Sequence, residues 1–381
     1  MSANDDRIST THVGSLPRPD ELLAVMQAKF RGEAYDADEL RRLARIAVRE
    51  VVEKQVAIGI DGVSDGEMSK PSYATYVTER LSGFEGEFKG HAAADLRDYR
   101  DYAKHLVSIG GVVPNAGGAC CRGPVAPRDT VALDEDLAAF RAAVDIAGAT
   151  DAFMNAASPG VVAVFQKNEY YANDDDYIAA VAEAMRPEYE AIVDAGFMLQ
   201  IDSPDLAMGR HLAFQDMHDR EFLAVAARNV AALNDAVRRI PADRMRMHLC
   251  WGNYPGPHHH DIPLASIVDI VLRAKPKYLL LEGANPRHEH EWSVFADVEL
   301  PDEKVLVPGV IDSTSNYIEH PEVVAQRICR YADVVGRERI VAGSDCGFST
   351  FSGYPTVYPD IAWEKLKSLV AGAELATKRL W

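Results

Sequence analysis

Cysteine is scarce in this chain, at 5 of 381 residues. That is too few for a disulfide framework, and a chain this long can bury a sufficient core without cross-links or a structural metal. Cationic charge is also in short supply, with 40 Lys+Arg against 58 Asp+Glu for a net −18. No dense Lys/Arg run offsets it, so neither a nucleic-acid backbone nor an anionic membrane is expected as a partner. No apolar run approaches the roughly 18 residues of a membrane span. Met1–Arg7 is polar and acidic and lacks the apolar centre of an export signal. A cytoplasmic location is therefore expected, where thiols stay reduced and serve metals or catalysis rather than bridges. No 20–50-residue repeat and no low-complexity linker stand out.

What is present is alternation. Strand-like segments at Ile8–Val13, Gly62–Asp65, Phe153–Ala157, Met198–Asp202, Met245–Cys250, Tyr278–Glu282, Val305–Ile311 and Ile340–Ser344 are separated by amphipathic stretches such as Asp36–Ala57, Tyr177–Ala195, Phe222–Arg239 and Pro321–Val335. Regular β-then-α order implies parallel strands with right-handed crossovers. Length alone suggests two or three domains at roughly 150 residues each. A single elaborated (β/α)8 TIM barrel spanning 1–381 accounts for the length equally well and is the expected fold. A doubly wound sheet is less suited, since no Gly-x-Gly-x-x-Gly follows the first strand. The stretch from about Gly83 to Glu135 is the least barrel-like and is expected to be an inserted loop or hairpin. Within it, Leu106–Val113 and Cys120–Val125 read as β-like, and Ala92–Lys104 as an exposed, charged helix.

The polar residues support a barrel. Ser15, Glu67, Asp202, Cys250, Glu282, Asp312 and Cys346 each stand at or just beyond the C-terminal end of a strand-like segment. In a (β/α)8 barrel that rim carries the active site. His248 and Cys250 are two residues apart on one strand, so their side chains share a face. Glu282 ends an apolar Leu279-Leu280-Leu281 strand, where a carboxylate is costly without a compensating partner. Cys346 lies in Gly343-Ser344-Asp345-Cys346-Gly347. Four such ligands at neighbouring strand ends suit tetrahedral Zn2+.

That ordered set resembles the catalytic barrel of the cobalamin-independent methionine synthase family. The resemblance rests on His248-x-Cys250, Glu282 and Asp345-Cys346-Gly347, on Thr11-His12-Val13-Gly14-Ser15-Leu16-Pro17, on Asp65-Gly66-Glu67, on Leu199-Gln200-Ile201-Asp202-Ser203-Pro204, and on Gly123-Pro124-Val125 and Gly309-Val310-Ile311-Asp312. It runs from about residue 8 to 351 and matches one barrel, whereas the family's full-length members carry a second. It implies zinc-dependent alkyl transfer to a thiol, with His248, Cys250, Glu282 and Cys346 as zinc ligands. The thiol would lose its proton in the field of the metal, and the anionic ligand set would keep it nucleophilic. Homocysteine is the acceptor implied. Ser15 would then meet its carboxylate, while Glu67 and Asp202 would meet its ammonium.

Two departures weigh against folate as the donor. The family's folate-using members carry a His, acting as an acid, where this chain has Ser313, and a hydroxyl is a poor acid at neutral pH. No aromatic pterin-stacking segment is evident near Asn155-Ala156-Ala157-Ser158-Pro159. A methylcorrinoid protein, a sulfonium or an epoxide remains as donor. Short relatives include epoxyalkane:coenzyme M transferases, but a sulfonate calls for cations rather than Glu67 and Asp202. A barrel holding zinc for structure alone, or serving as a methyl-carrier partner, is the non-enzymatic alternative. Candidates for a replacement acid are His258 and His260 in the turn-rich loop Trp251–Asp261, with Asp312 as a third catalytic candidate. His258, His259 and His260 equally allow a second metal site, or a polar loop capped through Asp261. His288 and His290 either reach the site or mark a solvated helix start. Cys120, Cys121 and Cys329 read as structural. The sequence leaves a homo-oligomer open.

Overall fold

The computed structural model describes residues 6–108, 117–354 and 356–381. Its strands are β1 (Ser9–Thr10), β2 (Gly62–Ser64), β3 (Phe84–Phe88), β4 (Gly118–Cys121), β5 (Asp151–Ala157), β6 (Lys167–Asn168), β7 (Met198–Asp202), β8 (Met245–Leu249), β9 (Tyr278–Leu281), β10 (Val305–Ile311) and β11 (Val341–Ser344). Eight of them form one parallel sheet in the order β1-β11-β10-β9-β8-β7-β5-β2. A parallel bridge between Thr11 and Gly62 brings the two ends of that sheet together. The result is the (β/α)8 TIM barrel anticipated from the alternation.

The strands form because their sequences are short apolar runs buried on both faces, as parallel sheets require. Tyr278–Leu281 and Val305–Ile311 are buried throughout. Val13, Phe153, Met198, Leu280, Val307 and Val341 belong to an apolar cluster contributed almost wholly by the strands. The larger cluster lies between the sheet and its helices. The helix Ala37–Ala57 shows why those helices dock. Asp36 caps it by accepting from the N–H groups of Asp38 and Glu39, and Leu43, Ala44, Ala47, Val48, Val51 and Val52 form one buried stripe. The helix Val131–Ala147 packs against it.

Strands β3 and β4 pair antiparallel, and β6 joins β4 in parallel, making a small sheet outside the barrel. The β-like reading of Leu106–Val113 fails in its described part. Leu106–Ser108 ends a helix, Arg100–Ser108, and 109–113 lie outside the described residues. In that helix Leu106 is buried while its neighbour Val107 is exposed. A local Leu-Val pair cannot distinguish a strand from the end of an amphipathic helix. Ala92–Lys104 is helical as two pieces, Ala94–Asp98 and the start of Arg100–Ser108. It is not wholly exposed, because Asp95 and Leu96 are buried. Asp95 is drawn inward by a distant partner. Its Oδ2 accepts from the Tyr254 hydroxyl at 2.7 Å and from the His258 N–H at 2.9 Å.

Candidate active site

The strand ends deliver the chemistry. His248 lies on β8, in register with Asp202 of β7 and Leu280 of β9. Cys250 follows β8 by one residue, and Cys346 follows β11 by two. The ligand atoms of His248, Cys250 and Cys346 all lie within 4.8 Å of one another, and all three residues are buried. Glu282, the first residue after β9, stands outside this tight group. Its Oε1 accepts from the Trp251 N–H at 3.0 Å and its Oε2 from Asn285 Nδ2 at 2.8 Å. Each oxygen keeps a further lone pair.

Asp345 fastens these elements together. Its Oδ1 accepts from the N–H groups of Gly283 and Ala284, each at 2.8 Å, and its Oδ2 from the Asn285 N–H at 2.8 Å and Asn285 Nδ2 at 3.0 Å. Its backbone oxygen lies 3.2 Å from His248 Nε2. One carboxylate thus ties the segment after Glu282 to the segment that carries Cys346. Glycine is required opposite it, since a Cβ on Gly309 would sit 2.0 Å from Asp345 Oδ1.

The donor set fits a borderline divalent cation. Burial pulls the His248 pKa down to about 4, and a neutral imidazole is the ligating form. Cys346 is held well above the ordinary thiol range, first by its contact with Cys250 and then by burial. A divalent cation beside both sulfurs would reverse that push.

The same three residues line a cavity with Ser15, Glu67, Asp202 and Asn253, closed on its apolar side by Tyr73, Phe165, Phe351, Met208 and Leu212. Tyr73 meets Phe165 and Phe351 edge-on, at ring centroid distances of 5.7 and 5.8 Å. Glu67 is held in the left-handed region at φ 56. Its Oε2 is buried without a hydrogen-bond partner. Neither neighbouring cation neutralises it directly. Arg18 donates to the backbone oxygens of Glu67, Lys70 and Ser349, and Lys70 Nζ donates to the Asn155 carbonyl. Burial and the like charge of Asp202 push the Glu67 pKa up to about 8. Asp202 is raised to about 6 by burial, against hydrogen bonds from Asn155 Nδ2 at 3.0 Å and Gln200 Nε2 at 2.7 Å. Ser15 lies against Gly347, where a Cβ would sit 2.0 Å from its Oγ.

The remaining candidates are elsewhere. His258 Nδ1 is 2.8 Å from Asp261 Oδ2 and its Nε2 is 3.1 Å from the Tyr254 carbonyl. His260 is exposed, 2.7 Å from Asp98 Oδ2. Asp312 Oδ1 accepts from the N–H and the hydroxyl of Thr314. None of the three lines the cavity. His290 is exposed, but His288 is buried between Asp261 and Glu291 at 3.0 and 2.9 Å, so a solvated helix start does not describe it. Cys120 and Cys121 sit on β4, outside the barrel. Sequence reasoning missed Asn253, which donates to the Gly347 carbonyl at 2.7 Å and accepts from Ser313 Oγ at 2.9 Å. It also missed Tyr73, Phe351 and the Asp345 clamp. Asp345 was visible only as a neighbour of Cys346.

No helix among the described residues is long and apolar enough to cross a membrane. The family model for the catalytic domain of cobalamin-independent synthase matches residues 8–103 and 106–363. A methionine synthase from Saccharolobus solfataricus is 26% identical over 379 residues, covering 98% of this chain and 96% of the relative. One from Thermococcus kodakarensis is 26% identical over 377 residues, covering 98% and 94%. Among solved structures, a B12-independent methionine synthase from Shewanella sp. W3-18-1 in complex with selenomethionine aligns with a TM-score of 0.73 at 20% identity, covering 98% of this chain and 99% of that one. These matches bear out the resemblance carried by the ordered motifs and the barrel fold.

Proposed function

The chain belongs to the cobalamin-independent synthase family through its catalytic domain, and from that premise we propose that it transfers a methyl group to the thiol of homocysteine, giving methionine. His248, Cys250, Glu282 and Cys346 are the residues that would hold Zn2+. When bound there, the metal supplies acidity to the substrate thiol, so that a thiolate is available at neutral pH.

The chain's own residues do the rest. Glu67 and Asp202 receive the ammonium of the amino acid, and Ser15 stands near enough to meet its carboxylate. The observation that carries this assignment is the buried, unpartnered Oε2 of Glu67 in the same cavity as the His248–Cys250–Cys346 cluster. A buried carboxylate without a partner is costly. An ammonium removes that cost and so binds with preference. Tyr73, Phe165 and Phe351 keep water from the reacting sulfur. Asn253 braces the loop after Cys346. Asp345 fixes the Glu282 and Cys346 segments relative to each other, as outer partners of metal ligands do.

Coenzyme M suits the cavity less well. A sulfonate needs cations, and the nearby Arg18 and Lys70 are committed to backbone carbonyls. Reduced thiol substrates accord with a cytoplasmic setting. The donor is a small molecule or a methylcorrinoid protein rather than methylfolate, because Ser313 replaces the expected acid. A screen of homocysteine and coenzyme M against methylfolate, methylcobalamin, sulfonium compounds and small epoxides tests the proposal. Methionine formation from homocysteine supports it. Thioether formation from coenzyme M, with none from homocysteine, overturns it.

A further inference from the structure

Outside the cavity a second set of metal-ligating side chains converges. Asp98, His259 and His260 place one ligand atom each within 4.8 Å of one another, at the surface. His259 Nε2 and His260 Nε2 both approach a single oxygen, Asp98 Oδ2, at 3.0 and 2.7 Å. The two rings lie 4.2 Å apart and are tilted by 37°. Tyr99 packs edge-on against His259 at 5.7 Å.

These side chains do not hang on a free loop. His258 is fixed in the left-handed region at φ 54. Its ring is anchored on Asp261, and its N–H donates to Asp95 Oδ2 at 2.9 Å. Asp95 is on the same short helix as Asp98, and its Oδ2 also accepts from the Tyr254 hydroxyl. Tyr102, on the next helix, donates to the Pro255 carbonyl. Loop and helix are thus already registered against each other by hydrogen bonds, the Tyr254–Asp95 one buried, and that register holds the two imidazoles over the carboxylate.

We propose that Asp98, His259 and His260 form a second metal site, separate from the cavity, which takes a borderline divalent transition-metal ion and thereby ties the helix Ala94–Asp98 to the loop Trp251–Asp261. Two imidazoles and a carboxylate suit Zn2+, Ni2+ or Co2+, whereas Ca2+ and Mg2+ prefer oxygen alone. Bonds of about 2.1 Å set ligand atoms about 3.4 Å apart around a tetrahedral ion. The separations of 2.7 and 3.0 Å therefore need to widen by roughly half an ångström. Exposed side chains can make that adjustment, and solvent completes the coordination. The loop so tied carries Asn253 and Tyr254 to the cavity wall, so the site links a surface cation to the setting of the proposed substrate pocket.

The test uses the full chain loaded with one zinc per chain, freed of excess zinc, and Ni2+ as the probe. Calorimetry should find one further equivalent bound by the wild type. Asp98→Asn and the His259→Ala/His260→Ala double variant should lose at least about tenfold in affinity. Cys346→Ser should keep the Ni2+ site whatever happens at the buried cluster, which separates this proposal from the zinc assignment. Amide exchange across 94–108 should slow with Ni2+ in the wild type and not in the double variant. No further equivalent in the wild type, equal uptake by the double variant, or uptake that leaves exchange at 94–108 unchanged would overturn it.

Discussion

Two clusters among the described residues offer imidazole to a metal, and they differ in nearly everything else. His248, Cys250 and Cys346 are buried at the ends of barrel strands, with thiols and nearby carboxylates. Asp98, His259 and His260 are exposed, on a helix and a loop outside the strands. The first faces a cavity with an unpartnered buried carboxylate, whereas the second faces solvent. Burial makes the inner cluster demanding. It keeps His248 neutral and raises the Cys346 thiol, so without a cation the thiol gives up its proton only at a high cost. The outer cluster pays no such penalty, since water can satisfy each of its members. Similar ligands can therefore serve chemistry at one place and fastening at another, depending on what surrounds them.

The sharpest break between the two comes from Cys346→Ser. Activity should fall by more than the about 10–100-fold that loss of an outer partner of a metal ligand causes, and the buried zinc should be lost on metal analysis. Full zinc occupancy in this variant would remove the basis for assigning the inner cluster. Next in size is Glu67→Gln, which takes away a charge-assisted contact worth about 1.5–3 kcal/mol. Homocysteine affinity should drop by roughly one to two orders of magnitude with zinc retained, and an unchanged affinity would remove Glu67 from the ammonium site. The wild type should also show a pH signature here. Glu67 is raised to about 8, so it holds a proton at neutral pH that an incoming ammonium must displace. Affinity for a thiol-free analogue, 2-aminobutyrate, should therefore rise as pH rises toward 8, with proton release seen in buffers of different ionisation enthalpy. Glu67→Gln should abolish that dependence.

A third test concerns the polar network that joins the regions. Asp261 Oδ2 is hydrogen-bonded to His258 and His288, at 2.8 and 3.0 Å, and its Oδ1 lies 3.0 Å from His211 Nδ1. Burial opposes charge on His288, but Asp261 and Glu291 outweigh it and raise its pKa to about 9. A raised histidine stabilises the fold below its unfolded value of about 6.5, and that contribution fades as pH climbs to the folded value. The melting temperature should decline from about pH 6.5 to 9 for this group, and less steeply in His288→Gln. Equal slopes would mean that His288 does not titrate there. The smallest effect is expected from His259→Ala in metal-free protein, within about 0.5 kcal/mol of wild-type stability as for an exposed site. A larger loss in chemical denaturation would make the outer cluster part of the fold rather than a surface site.

The barrel was legible because parallel strands buried on both faces become apolar runs, and because rim positions break those runs with polar residues. The grouping of His248, Cys250 and Cys346 was legible for the same reason, since His248 and Cys250 share a strand face and Cys346 follows the end of another strand of the same sheet. What stayed hidden depended on contacts across long sequence separations. Nothing near Asp95 announces that Tyr254 and His258 will bury it. Tyr73 becomes cavity wall only once Phe165 and Phe351 are brought against it. The helix end at Leu106–Ser108 was misread because two apolar neighbours satisfy either period. His258 and His260, offered as acids on the strength of their nearness to Cys250 in sequence, turn instead to Asp261 and Asp98.

The central claim is that the inner cluster presents a metal to the substrate thiol. Zinc-edge X-ray absorption on protein holding one zinc per chain, with and without homocysteine, tests it most directly. An added sulfur in the zinc coordination on binding homocysteine is the predicted result, with two protein sulfurs beforehand. Homocysteine bound at saturation with no change in the sulfur coordination would contradict it.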